Sequence, residues 1–183
     1  QTDNAANWSW MVYLLPMLEQ GNLYAQLEVG DPLSLGQALE DVNNVRLMQT
    51  PVPGFRYPSD TAPDLNDKHP LQSESGNHLP GAISNFVGAP GGLDWNFGEV
   101  TGTFGMNTSV AIKDITDGTS NTLVVGERCW TLQTGNNGKA NYNAGNVFGM
   151  SASSGIQLSW YILGKGRFGI NETGGGSHVH ANT

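Results

Sequence analysis

The sequence has little of what marks several common classes of protein. It contains a single cysteine, Cys129, so an intramolecular disulfide is excluded, and with it the disulfide-rich scaffold. It contains no apolar run of the length that a transmembrane helix needs. Charged residues make up only 13%, and 8 Lys and Arg against 16 Asp and Glu give a formal net charge of −8. Such a surface repels phosphate backbones, so nucleic-acid binding is disfavoured.

The sequence is rich in small residues instead. It has 25 Gly among 183 residues, with many Asn, Ser and Thr, while hydrophobic residues reach 38%. That hydrophobic content is too high for a disordered chain, and the length suits one domain with its own core. Few charges and many turn-forming residues are typical of an extracellular surface made of turns and short strands.

The first third of the chain has the apolar spacing of helices, so residues 7–50 are predicted to be helical. Trp8, Met11 and Leu15 recur at intervals of three and four, and Pro16 should kink or restart this first helix. Gly21 is expected to stop it in a left-handed conformation. A second helix is predicted over 34–48, ended by the prolines that follow.

Residues 54–170 are predicted to form sheet and long glycine-rich loops, which makes the fold class α+β. Short strands are predicted at 82–87, 110–112 and 122–125, and the last of these is expected to be buried. Residues 61–80 contain three prolines and no apolar periodicity, so they are interpreted as a surface loop. The tail, 171–183, has little to bury and is expected to be exposed.

The segment from Asp114 to Glu127 reads DITDGTSNTLVVGE and allows three interpretations. Its oxygen donors suit a hard cation, with these calcium candidates: Asp114, Asp117, Thr119 and Asn121. Asp117 and Glu127 could act as an acid–base pair if the fold brought them together. The favoured interpretation is a structural turn at Asp117, Gly118 and Asn121. In this turn the side chains of Asp117, Thr119 and Ser120 are expected to bond the free amides of the backbone.

No catalytic or cofactor motif occurs in the sequence, so no enzymatic activity and no cofactor are predicted. His178 and His180 form a His-x-His pair in the tail, but no third metal ligand is near them in the sequence. Most aromatic side chains are expected to anchor the core or the loops. Four of them could instead stack on sugars or contact a protein partner: Trp95, Phe97, Trp160 and Tyr161.

Three stretches resemble one family of secreted bacterial proteins. WMVYLLPMLEQGNLY ends at Tyr24, FRYPSD spans 55–60, and IKDITDGTSNTLVVGE spans 112–127. Together they are similar to the prepilin-like proteins of type IV pilin or pseudopilin type that are abundant in planctomycete bacteria. These proteins carry labels such as H-X9-DG, solute-binding or domain of unknown function. The family usually has Cys where this chain has Tyr57, so a thiol partner for Cys129 is not expected.

The resemblance implies a single pilin-like head over 1–183, with a helix and an antiparallel sheet. It also implies an apolar helix before Gln1, which would be the only route to a membrane, and a His-Pro-Gly-Gly segment after Thr183. The expected function is therefore an extracellular structural subunit that assembles with copies of itself. The alternative is a secreted ligand-binding module for glycans, built on Trp95 and Phe97.

Overall fold

The computed structural model describes residues 8–30, 33–90, 102–105, 109–133, 140–142, 144–149 and 162–163. Within these ranges, short helices form the first third of the chain and short antiparallel strands follow, so the fold class is α+β. No described helix is both long enough and apolar enough to cross a membrane. The predicted tail at 171–183 lies outside the described residues, and the single head over 1–183 stays a prediction.

The helical third is divided into shorter elements than the sequence predicts. A 3₁₀ helix over Val12–Leu18 contains Pro16, and α1 follows at Gly21–Gln26. The predicted second helix is two helices, α2 at Leu35–Ala38 and α3 at Val42–Met48. The side chain of Ser34 accepts a hydrogen bond from the amide of Gln37 at 3.2 Å, which starts α2 with a capping box.

The predicted left-handed stop at Gly21 is wrong. Glu19 takes the left-handed conformation, with φ of 61°, and its amide bonds back to the carbonyl of Leu15. Gly21 instead begins α1. The 3₁₀ helix contains Pro16, which supplies no amide donor to an α-helical ladder, and it ends at Leu18, before the left-handed Glu19.

The main core lies between the helical third and the segment 144–149. Met11, Leu15 and Phe148 are completely buried in the same apolar cluster. Backbone pairing fixes this arrangement, since the amide of Ser9 donates to the carbonyl of Phe148 at 2.9 Å. The indole Nε1 of Trp10 donates to the carbonyl of Ile162 at 3.0 Å, so the first helix is held to both later segments.

The described strands form three small antiparallel groups. Their bounds are Leu65–Gln72 for β1, His78–Ser84 for β2, Phe86–Gly88 for β3, Val125–Glu127 for β4, Thr131–Gln133 for β5, Ala140–Tyr142 for β6 and Gly145–Asn146 for β7. Three of these strands form one sheet in the order β1–β2–β7, while β3 pairs with β4 and β5 pairs with β6.

The predicted surface loop at 61–80 is wrong, because most of it forms β1 and the start of β2. The register shifts between Asn66 and Leu71, which accommodates Pro70 within the strand. The buried side chain of Asn66 replaces the missing ladder bonds: its oxygen accepts from the amide of His69 at 2.9 Å, and its nitrogen donates to the carbonyl of Ala144 at 2.9 Å.

Two further strand predictions are corrected. Residues 110–112 form no strand, and a 3₁₀ helix runs over Ile112–Asp114 instead. The strand predicted at 122–125 begins only at Val125 and continues to Glu127. It is not buried, since Leu123 is 49% exposed and Val124 38% exposed. Apolar composition suggested burial here, but this strand pairs at the surface with β3 only, among the described strands.

Candidate functional site

The segment between Ala111 and Thr122, here called the corner, is closed by bonds to its own backbone. Gly118 has φ of 82°, a conformation that side-chain-bearing residues rarely adopt. The side-chain nitrogen of Asn121 donates to the carbonyl of Asp117 at 3.0 Å, and the hydroxyl of Thr122 donates to the carbonyl of Gly118 at 3.1 Å. These contacts turn the chain immediately before β4.

The four calcium candidates lie in this corner, and all four are exposed. One carboxylate oxygen of Asp114 accepts a hydrogen bond from the amide of Ala111 at 3.2 Å, and Asn121 uses its amide nitrogen on the backbone. Within the described residues, no cluster of three or more His, Cys, Asp or Glu side chains is arranged to hold a metal ion. The polar groups that do form bonds here therefore serve the turn.

The two members of the possible acid–base pair, Asp117 and Glu127, lie in different structural elements. Asp117 lies in the exposed turn, whereas Glu127 is the last residue of β4 and is paired in register with Phe86. The four aromatic candidates, Trp95, Phe97, Trp160 and Tyr161, lie outside the described residues, as do His178 and His180. The glycan-binding interpretation therefore stays a prediction.

A buried polar network that the sequence analysis missed is centred on Asn85, between β2 and β3. Asn85 is 1% exposed, and its oxygen accepts from the amide of Tyr57 at 2.9 Å. Its nitrogen donates to the carbonyl of Arg128 at 2.8 Å and to the carboxylate of Asp60. Asp60 in turn accepts from the amide of Trp130 at 3.0 Å. The network thus joins FRYPSD to the segment that follows β4.

Arg128 and Cys129 lie at the edge of this network. Arg128 is 2% exposed, burial lowers its pKa to about 9, and its Nη2 donates to the carbonyl of Leu163 at 2.8 Å. Burial, and secondly the nearby Asp60 carboxylate, raise the pKa of the Cys129 thiol, which disfavours the nucleophilic thiolate. The arrangement is suited to holding chain segments together, because its polar groups face the protein backbone.

One signal in the sequence could have located this network. Asn85 is the one amide in the stretch from Ala82 to Val87, where every other residue except Ser84 is apolar. A buried polar side chain must be hydrogen-bonded, so such a residue requires partners from elsewhere in the chain. Its position in the sequence does not say which partners these are.

Among the residues that the structure describes, two groups of exposed apolar side chains lie close together in the sequence. The first group, here called the corner surface, lies on both sides of the turn in the sequence. Its members are individually between 36% and 76% exposed: Val110, Ile112, Leu123, Val124 and Val125. The second, here called the helical surface, consists of Tyr13, Met17 and Leu18, which are between 37% and 79% exposed. Grouped apolar side chains left in water are a common feature of surfaces that bind other proteins.

Comparison with known proteins identifies a family for almost the whole chain. The family model SBP_bac_10, described as a protein of unknown function (DUF1559), matches residues 1–182. No curated protein and no solved structure gives a significant match.

Proposed function

This chain belongs to the DUF1559 family, and we propose that it is an extracellular structural subunit, a pilin-like head that assembles with copies of itself into a filament or surface layer. In this proposal the protein is not an enzyme and needs no cofactor. The observation that supports it is the exposure of apolar side chains in two different segments of the described chain, since two distinct contacts allow growth beyond a closed pair.

The corner surface supports this proposal in two ways: its apolar side chains are exposed, and the backbone that carries them is held by hydrogen bonds. Ile112 is 76% exposed, a level that costs free energy in an isolated protein and is relieved by burial against a partner. The turn around Gly118 is held by side chain-to-backbone bonds, and β4 is fixed by its pairing with β3. A pre-ordered surface loses little conformational entropy when it binds.

The helical surface supplies the second contact. Met17 is 79% exposed on the 3₁₀ helix over Val12–Leu18, while Val12 and Leu15 of the same helix are buried in the core. The helix therefore has one face anchored in the head and one apolar face in water. In a pilin-like assembly, an apolar helix preceding this segment would bundle in the centre while the heads pack laterally.

The low charge of the surface and the bonding of the corner agree with a passive structural role. Charged residues make up 13% of the sequence, and the side chains of Asp114, Asn121 and Thr122 bond to the backbone of the corner. The buried network around Asn85 likewise joins backbone segments. Both features favour rigidity, which a building block requires.

The test is the assembly state of the full-length native protein. Light scattering over a concentration series and negative-stain electron microscopy should show filaments, a lattice or defined oligomers. Ile112→Glu and Met17→Glu should each reduce assembly, because each places a charge in an apolar contact. Val42→Glu is the matched control: Val42 is 60% exposed at the start of α3, outside both surfaces, and should have no effect.

Two results would count against the proposal. Dispersed monomers of the full-length protein at every concentration would overturn it. Equal effects of all three substitutions would show that added charge, rather than a defined contact, controls the assembly.

A further inference from the structure

Strand β4 has one edge that pairs with β3 and a second edge that points away from it. The facing pairs with β3 are Phe86 with Glu127, Val87 with Gly126 and Gly88 with Val125. The amide of Ala89 donates to the carbonyl of Val124 at 2.9 Å, and that of Arg128 to the carbonyl of Asn85 at 2.6 Å. These bonds establish which residues of β4 are directed towards β3.

Alternate residues of an antiparallel strand direct their backbone groups to opposite edges. Since residues 124, 126 and 128 bond towards β3, the N–H and C=O groups of Leu123, Val125 and Glu127 are directed to the second edge. Gly88 on β3 obeys the same alternation, because its amide points away from β4 and donates to the carbonyl of Ile162 at 3.0 Å.

The second edge of β4 is open in the part of the chain that the structure describes. There, β4 pairs with no strand except β3, and Leu123 and Val125 are 49% and 36% exposed. An apolar edge with alternating unpaired donors and acceptors is a template for another strand. Its one charged residue is Glu127, so the edge has little of the charge that usually protects such strands.

We propose that β4 of a second copy of this chain covers this edge, running antiparallel about a two-fold axis at Val125. This inference rests on the proposed function and specifies one of its two contacts. In this register Val125 faces its own counterpart, and Leu123 faces Glu127 of the other copy. Both copies direct the same N–H and C=O groups to this edge. The pair of Val125 residues and each pair of Leu123 with Glu127 therefore exchange two hydrogen bonds.

Charge and strand length select this register. Centring the axis on Glu127 would place two carboxylates directly opposite each other, which destabilises a strand pair. Centring it on Leu123 would require pairing by Thr119–Asn121, which is a 3₁₀ helix. With the axis at Val125, the two Glu127 residues are offset by four strand positions, roughly 13 Å, which exceeds the screening length of about 8 Å at physiological salt.

A two-fold contact of this kind is closed and gives pairs of heads. Continued growth then requires a different contact, which the helical surface would supply. The corner surface is thus assigned to pairing and the helical surface to extension. The side chains of Leu123 and Val125 lie next to the paired backbones, where apolar burial adds to the hydrogen bonds.

A charge-swap experiment tests the register. Val125→Lys alone and Val125→Glu alone should each weaken pairing by about tenfold or more, because like charges would face each other across the axis. An equimolar mixture of the two variants should restore pairing, measured by sedimentation velocity and native mass spectrometry. The matched control is the same pair of substitutions at Ile112, where mixing should restore nothing.

A disulfide trap gives an independent readout. In a Cys129→Ser background, Val125→Cys should cross-link two copies under mild oxidation, since facing Cα atoms of a hydrogen-bonded pair lie about 5.5 Å apart, within disulfide range. Leu123→Cys is the control, because its counterpart would lie roughly 13 Å away. Non-reducing electrophoresis should show a dimer band for the first variant alone.

The outcomes separate this inference from the proposed function. If the wild-type protein assembles but neither the charge swap nor the trap responds at Val125, the strand pairing is wrong and self-assembly stands. Cross-linking of equal strength at residues 123 and 125 would also overturn the register. If the wild-type protein never associates, both proposals fail.

Discussion

At the scale of single residues, glycine has different roles at Gly118 and Gly21. Gly118 has φ of 82°, while Gly21 lies in α1, and a Cβ on Gly21 would meet no atom within 4 Å. Gly118→Ala should therefore destabilise the protein by about 1–3 kcal/mol through backbone strain. Gly21→Ala, the matched control, should be neutral or slightly stabilising. Chemical denaturation of both variants measures the difference, and an equal stability for the two would contradict the assignment of the turn.

Substitution of Asn85 is expected to destabilise the protein more than any other single substitution described here. Asn85→Ala removes the acceptor of the Tyr57 amide and the donor to Asp60 and to the Arg128 carbonyl, all in a buried setting. Leaving such groups without a partner should lower the free energy of unfolding by about 3–5 kcal/mol. Asn43→Ala, on the exposed face of α3, is the control and should change stability little. Thermal melting that shows similar losses for the two variants would refute the importance of the network.

These two residues show which parts of the site are readable from sequence. Gly118 has the positive φ expected of an Asp-Gly turn, because this is a local property of the backbone. The side-chain bonds described in the turn come from Asn121 and Thr122, which the sequence analysis did not assign to this bonding. Asn85 is different, since its partners Asp60 and Arg128 lie 25 and 43 residues away along the chain. Local patterns carry no information about which distant groups will meet, so the network could not be predicted.

At the scale of elements, the sequence predicts the types of secondary structure better than the residues at which each helix or strand begins and ends. The helical third and the α+β class could be predicted, because the spacing of apolar residues indicates the local structure of each segment. Strand β1 was missed because Pro70 and scattered charges contradict a regular strand, whereas the fold tolerates them through a register shift and the side chain of Asn66. The strand predicted as buried before Glu127 lies at the surface, and β3 is its one strand partner among the described residues.

The turn between β1 and β2 gives a prediction about pH. The carboxylate of Glu40, between α2 and α3, accepts from the amide of Ser75 at 2.6 Å. This backbone bond, and secondly the hydroxyls of Ser75 and Ser73, lower the pKa of Glu40 below its ordinary value of 4.5. The contact therefore stabilises the folded state above about pH 4.5, and the stabilisation is lost as the pH falls through the lower folded-state pKa.

Glu40→Gln should remove this pH dependence. The wild-type protein should be the more stable of the two at pH 7, and the difference should shrink as the pH falls below about 4.5. Urea denaturation between pH 7 and pH 3 measures it, with Glu28→Gln as a control of equal charge change on another exposed residue. A constant difference at every pH would show that Glu40 acts through packing rather than through its charge.

At the scale of the whole molecule, charge and apolar surface act in opposite directions on assembly. Each copy has a formal net charge of −8 at pH 7, so copies repel one another. The corner surface and the helical surface attract through apolar burial, which salt does not weaken. Membership of a family of unknown function could be predicted from the sequence, because three separated motifs resemble one group. The pilin-like part of that resemblance stays a proposal. The positions of the two apolar surfaces required the fold, since Leu123 and Leu15 cannot be told apart by residue type alone.

The balance of these two effects predicts how assembly depends on salt. Raising the salt concentration from 0.1 M to 1 M shortens the screening length from about 10 Å to about 3 Å. Repulsion between copies then falls while apolar attraction is kept, so the association constant of the full-length protein should rise. Sedimentation velocity at several salt concentrations measures it, at pH 7 so that Glu40 keeps its contact. If association instead weakened with salt, opposite charges would have to meet in the contact, and an apolar pairing at Val125 would not explain the assembly.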